Sequence, residues 1–164
     1  MRFGSLDLNV KKGSTQIQKV MHGIKVVWEN WKSMTGEIFK YNGGLSTSDS
    51  NSSGNTAKAT AVLKYESVVR NLKGTMNISG AGGNSGVAQY GCNVELFTNE
   101  ELTEYVEAGN TWFSNSGQST YNFESPKDVP VYGLRYVVWT WNGGSGTSTC
   151  TCTSAKVTSW QQKG

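Results

Sequence analysis

From residue 59 onward the chain repeats one pattern: runs of seven to fourteen residues rich in Val, Tyr, Thr and Trp, most of them closed by Gly, Asn or Ser. The runs cover 59–68, 72–79, 87–98, 105–113, 119–125, 131–141 and 147–160, with breaks such as Gly80-Ala81-Gly82-Gly83-Asn84, Asn115-Ser116-Gly117 and Asn142-Gly143-Gly144-Ser145-Gly146. Alternating segments of that length are half-buried strands, and Gly and Asn supply the positive φ that tight turns need. Seven of them in succession predict an all-β chain, a β-sandwich or jelly roll. Helix is expected only as about one turn at 99–104, where Asn99 can cap and Glu100 and Glu101 favour a helix N-terminus.

Composition excludes several function classes. A chain of 164 residues is one domain, large enough to bury roughly 70% of its unfolded surface without disulfides. Gly, Ser, Thr and Asn make up 69 residues and charged residues only 16%, the balance of short strands joined by polar turns. A net charge of +3, scattered along the chain, supplies no phosphate-tracking stripe, so no nucleic-acid partner is expected. The longest apolar runs, such as 136–139, fall far short of the about 20 residues of a membrane span, so no membrane partner is expected either. Asp7 stands where a signal peptide needs its apolar region, which predicts synthesis and assembly in a cytoplasm. Cys92, Cys150 and Cys152 should then remain reduced, and their odd number argues against a disulfide framework.

The first third of the chain reads differently. Residues 3–10 alternate with Leu6, Leu8 and Val10 on one side, and 17–21 and 24–28 are β-rich runs flanking His22-Gly23 as a two-residue hairpin turn. Residues 43–56 are almost wholly Gly, Ser, Thr, Asn and Asp, the composition of a linker. The expected organisation is a docking arm of short β-hairpins at 1–41, a flexible loop at 42–56 and the sandwich at 57–164. Hairpins this small are marginal in water, so Ile17, Val20, His22, Gly23, Val26 and Trp28 are candidate docking residues.

The candidate site lies in the aromatic strands. Within 131–141 the alternation groups Tyr132, Leu134, Tyr136 and Val138 on one face and Arg135, Val137, Trp139 and Trp141 on the other. In 87–98 it groups Tyr90, Cys92, Val94 and Leu96 as core, against Gln89, Asn93, Glu95 and Phe97. Sugars present apolar CH faces and many hydroxyls, so Trp112, Arg135, Trp139 and Trp141 are candidate saccharide-binding residues. The same tryptophans are equally suited to the sandwich interior or a subunit interface, and apolar residues on both faces of a strand point to a homo-oligomer.

Catalytic and metal chemistry find weaker support. The single His22 has no nucleophile beside it, and only Glu95, Glu107 and Glu124 offer carboxylates on or near strands, so no enzyme activity is expected. Cys150-Thr151-Cys152 with Cys92 lacks zinc spacing and a fourth ligand; the three read as small buried apolar groups. Asp49-Ser50-Asn51-Ser52-Ser53-Gly54 begins like a calcium loop but has Thr60 at its twelfth position, and the Gly-rich turns lack the Lys-Ser or Lys-Thr of a phosphate loop. No metal and no cofactor are expected.

The segment Ile17-Gln18-Lys19-Val20-Met21-His22-Gly23-Ile24-Lys25-Val26-Val27-Trp28 resembles a short Lys-Val/Ile-x-His-Gly-x-x-x-Val-Trp hairpin near the start of small virion proteins of phages that infect Gram-positive bacteria. The remainder resembles, in pattern only, a galactose-binding-type jelly roll of the kind found in carbohydrate-binding modules, notably Val131-Tyr132-Gly133-Leu134-Arg135-Tyr136 leading into a long penultimate strand. The resemblance implies a tail, baseplate or accessory structural protein of the virion, assembled in the host cytoplasm among other virion proteins and able to bind host cell-wall polysaccharide. A stand-alone bacterial carbohydrate-binding module is the alternative, and a small glycan-degrading enzyme a third.

Overall fold

The structure, a computed structural model, describes residues 11–12, 15–16, 19–22, 25–50, 56–82, 88–144 and 146–164, with side chains from Asn30 onward. Four short strands come first: β1 (Lys11–Lys12) pairs with β2 (Thr15–Gln16), and β3 (Lys19–His22) with β4 (Lys25–Glu29), both antiparallel. The β3–β4 hairpin sets His22 opposite Lys25, so His22 ends a strand instead of forming the turn. Ile17 and Gly23 lie outside the described residues, as does the strand expected at 3–10, and the side chains of Val20, His22, Val26 and Trp28 are likewise not described.

The remaining strands are β5 (Trp31–Tyr41), β6 (Leu45–Asp49), β7 (Thr56–Ala81), β8 (Ala88–Phe97), β9 (Tyr105–Phe113), β10 (Gly117–Glu124), β11 (Val131–Asn142) and β12 (Ser148–Lys163). All pair antiparallel in one hydrogen-bonded network that doubles into two layers, because β7 changes partners midway. Its first half pairs with β11, from Trp141↔Thr56 to Gly133↔Lys64, giving a layer ordered β7-β11-β8-β9. Its second half lies between β10 and β12, and the far edge of β12 carries β6 and then β5.

The change of partner happens at Asn71, which has φ 51°, a left-handed value that Asn tolerates better than most residues. Its side chain holds the corner. Nδ2 donates to Gln161 Oε1 (2.9 Å) and Asp128 Oδ1 (3.3 Å), and Oδ1 accepts from the Asp128 amide (2.8 Å). Beside it the Arg70 guanidinium pairs with Asp128 at 3.2 Å and lies over the Trp31 ring at 4.2 Å. The sequence pattern, which contains no Gly or Pro at this point, predicts two strands at 59–68 and 72–79; one bent strand of 26 residues replaces them.

Side chains facing inward from the two layers make a single core. Tyr90, Cys92, Val94 and Leu96 of β8 and Leu134, Tyr136 and Val138 of β11 meet Met76, Ile78, Phe123, Cys150, Cys152, Ala155, Val157 and Trp160. Each fully buried Leu, Val, Ile or Met contributes about 1.5–3 kcal/mol. The two large phenols are anchored at their polar ends: Tyr136 donates to the Phe39 carbonyl (2.9 Å) and Tyr90 to that of Asn115 (2.7 Å). Cys150 Sγ reaches across the layers to the Gly91 carbonyl at 3.4 Å.

Two expectations need correction. The sandwich begins at Trp31, not at residue 57: β5 and β6 pair with β12, and Phe39 and Leu45 are buried in the core, so much of the stretch expected as arm and linker is body. Alternate burial on an edge strand needs few apolar residues, and 43–56 is polar on average while Leu45 still points inward. At 99–104 the chain turns without forming a helix; Leu102 is left-handed (φ 55°), and Asn99 Oδ1 caps the turn by accepting from the amides of Thr103 and Glu104, each at 3.0 Å.

These contacts set where the chain can be cut. A chain beginning at Asn30 should fold with a melting temperature within a few degrees of the full length. A chain beginning at residue 42 loses Phe39 and β5 and should lose about 3–5 kcal/mol, measured by urea unfolding.

The buried thiols give a pH signature. Burial pushes Cys150 up to about 12 and Cys152 to about 11 from an ordinary 9.0, and pushes Cys92 up as well. Above about pH 9 the unfolded chain releases thiol protons that the folded chain keeps, so stability should be level below about pH 9 and fall from there towards 12. Calorimetry against pH checks the trend. A disulfide reagent at neutral pH should find no reactive thiol in the native protein and all three in denaturant.

Candidate functional site

The outer face of the β7-β11-β8-β9 layer carries the aromatic residues, and the strand registers fix its layout. Reading from β7 across to β9, one row is Lys58, Trp139, Gly91, Trp112. The next is Thr60, Val137, Asn93, Asn110, followed by Val62, Arg135, Glu95, Glu107, and then Lys64, Gly133, Phe97, Tyr105. Trp141 sits one row beyond Trp139, between Thr56 and Gln89.

Gly91 makes the first row possible. A Cβ there would fall 2.5 Å from Trp139 Cζ2 and 2.1 Å from the Thr111 carbonyl, so the missing side chain leaves a slot in which the Trp139 indole packs against the β8 backbone. Trp112 follows on the far side of that slot and is 59% exposed. Beside Trp139 opens a groove of about 240 Å³ lined by Thr56, Lys58, Asn93, Glu107 and Asn110. A second groove, about 330 Å³, runs from the other flank of Trp112 along 113–119.

A bulge in β9 completes the polar lining. Between Asn93↔Asn110 and Glu95↔Glu107, two steps on β8 are matched by three on β9, and Gly109 absorbs the extra residue at φ +127°. The bulge switches which alternate residues face out, so Tyr105 and Glu107 join Asn110 and Trp112 on the open face while Val106, Ala108 and Phe113 pack inward. Any side chain at Gly109 would collide with the Tyr121 hydroxyl, 2.1 Å from its Cβ position.

At the other end, Arg135 is fixed from every side. It is ion-paired and hydrogen-bonded to Glu95, and its guanidinium lies 5.5 Å from the Phe97 ring centre and 5.1 Å from that of Tyr105. Glu95 is buried, and its other oxygen accepts from Asn93 Nδ2 at 3.3 Å. Held in this way, the guanidinium presents its remaining donors in one orientation.

All four candidate saccharide residues thus share one face of one layer, and neither Trp139 nor Trp141 enters the sandwich interior. They do not form one cluster. Arg135 and Trp139 are four residues apart on β11, or about 13 Å at 3.4 Å per residue, so a single ring cannot touch both. Sequence reading missed Lys58, Thr56 and Asn110 as site residues and counted Glu107 only as a carboxylate. Alternation exposes Asn93 and Glu95, but nothing along β9 announces the bulge that turns Glu107 outward.

Comparisons with known proteins add form. No family model matches the chain, and no curated protein matches it. Among solved structures it is similar to carbohydrate-binding modules of the β-sandwich superfamily, at 12% identity over 79% of this chain and 56% of that one, with a TM-score of 0.47. It is similar to a family 29 carbohydrate-binding module at 12% identity over 77% and 91%, TM-score 0.38. A further likeness is to infectious bursal disease virus, Gx strain, at 11% identity over 98% of this chain and 40% of that one, TM-score 0.43. The chain thus spans little more than half of the first of these structures.

The geometry separates platform from scaffold. Trp112→Ala should change unfolding free energy by about 1 kcal/mol or less, since the ring is mostly in water. Gly109→Val should cost about 2–3 kcal/mol through backbone strain and the Tyr121 collision. Urea unfolding of the two variants checks both values.

Proposed function

We propose that the outer face of the β7-β11-β8-β9 layer binds a glycan without chemical turnover, on a structural protein of a phage virion that meets host cell-wall polysaccharide. The observation that carries the reading is the Trp139 ring packed against Gly91 beside a groove of amide, hydroxyl and charged groups. An indole face takes the CH face of a pyranose, and Asn93, Asn110, Glu107 and Lys58 supply donors and acceptors to its rim hydroxyls. With Trp141 beyond Trp139 at one end and Arg135 at the other, the row suits a chain of about three sugar units lying along β11 better than a single sugar.

Turnover is a poor match. Glu95 and Glu107 are cross-strand neighbours, within the range where paired carboxylates hydrolyse glycosides. Glu95, however, is committed to Arg135 and Asn93, and Glu107 stands exposed on the edge strand without the enclosed surround of a general acid. The virion placement draws on the 17–28 hairpin resemblance, and docking through the arm to other virion proteins follows from it.

The test is a pull-down on purified cell walls and a glycan array, with Trp139→Ala and Trp112→Ala in parallel. Each variant should weaken binding by about 1–3 kcal/mol, on the scale of ring stacking on an aromatic side chain. Wild-type affinity in both variants would sink the platform reading, and release of reducing sugar would replace it with hydrolysis. Mass spectrometry of purified particles separates a virion part from a stand-alone bacterial module.

A further inference from the structure

We infer that the free edge of β7 is a self-association surface, on which a second copy of this chain pairs antiparallel about Val62. The first half of β7 hydrogen-bonds to β11 along one edge, and no strand among the described residues pairs with its other edge. From Thr56 to Lys64 the run has no Gly, no Pro and no bulge, and the irregularity in its pairing with β11 falls only beyond Lys64, so it keeps the geometry that accepts another strand. Its apolar side chains are incompletely covered: Ala59, Ala61, Leu63 and Tyr65 are only half-buried against the core, and Val62 on the outer face is 48% exposed.

Charge decides the partner and the register. The outer face of this edge reads Lys58, Thr60, Val62, Lys64, Glu66, all exposed. Two copies related by a twofold axis can meet only in registers that set outward residues opposite outward residues. Centred on Ala61, Lys58 would face Lys64; centred on Lys64, that lysine would face itself. Centred on Val62, each Lys58 faces the other copy's Glu66, Thr60 faces Lys64, and the two Val62 side chains meet. Neither Lys58 nor Glu66 has an ion pair among the described residues. Opposite charges directly across a sheet attract and like charges repel; centred on Leu63, Thr60 would face Glu66 and Val62 would face Lys64, with no opposite-charge pair, so charge favours the Val62 register.

The pairing has a consequence that rests on the proposed function. A twofold axis perpendicular to the sheet leaves both outer faces on the same side, so two Trp139 platforms would face one surface about 30 Å apart, from strand spacing and rise. Two weak sites on one polymer then bind with avidity.

The experiment reads mass and needs no glycan. Sedimentation equilibrium of the full chain should show a concentration-dependent dimer. Glu66→Lys, which opposes lysine to lysine twice, should weaken dimerisation about tenfold or more. The double variant Lys58→Glu with Glu66→Lys should restore it to near wild type, a rescue that no other register predicts. A monomer at millimolar concentration overturns the inference, as does a dimer that Glu66→Lys leaves unchanged or that the double variant fails to restore. Absence of glycan binding by the wild-type dimer would overturn the platform reading alone.

Discussion

The molecule depends on one strand belonging to two sheets. β7 is long enough to pair with β11 over its first half and with β10 and β12 over its second, and it can do so only because the backbone turns at Asn71. A left-handed residue in a strand costs free energy and frees backbone groups. Here Leu72 recovers two hydrogen bonds with Ser125, one to its hydroxyl and one from its amide, and the Asn71 side chain ties Asp128 and Gln161 to the same corner. Each bond contributes only about 0.5–1.5 kcal/mol net. Their value lies in fixing the angle at which the two layers close on the core.

Closing the layers leaves two outer faces of different chemistry. On the β10-β7-β12-β6 side, hydroxyls and amides satisfy one another: Asn77 donates to Ser154 at 2.8 Å and accepts from Thr120 at 2.7 Å, and Ser46 bonds Thr151 at 2.9 Å. Polar groups already paired have little to offer a ligand. On the opposite side Trp112 and Tyr105 stand in water, and the amides of Asn93 and Asn110 border an open groove. A groove of about 280 Å³ opens on the first side too, lined by Asn77, Gln118, Thr120 and Thr153, so what sets the second face apart is its aromatic rings.

That candidate face is built on the most completely buried strand of the fold. β8 is buried along nearly its whole length, including the outward-facing Asn93 and Glu95, because Trp139 and Arg135 from β11 and the bulged β9 lie over it. A buried carboxylate with its cation removed would be strongly destabilising, so the Arg135–Glu95 pair is held in place by folding as much as by any ligand. Ordering a side chain on binding costs entropy; here folding has already ordered the platform.

The sequence by itself determined the class of fold, most strand positions and the inward–outward division of β8 and β11, because a period of two fixes which side chains share a face whatever the strand packs against. It therefore determined that Arg135, Trp139 and Trp141 share one face of β11. Whether that shared face looked to core or to water was left open, since both faces of β11 are apolar and alternation is blind to which layer lies opposite. Only the tertiary structure decided it, by placing Met76, Ile78 and Phe123 beneath Tyr136 and Val138. Tertiary pairing also drew Phe39 and Leu45 into the body, joined two expected strands into β7 and turned Glu107 outward at Gly109. Each outcome rests on contacts between residues far apart in sequence or on a single backbone dihedral, and neither leaves a periodic mark in the chain.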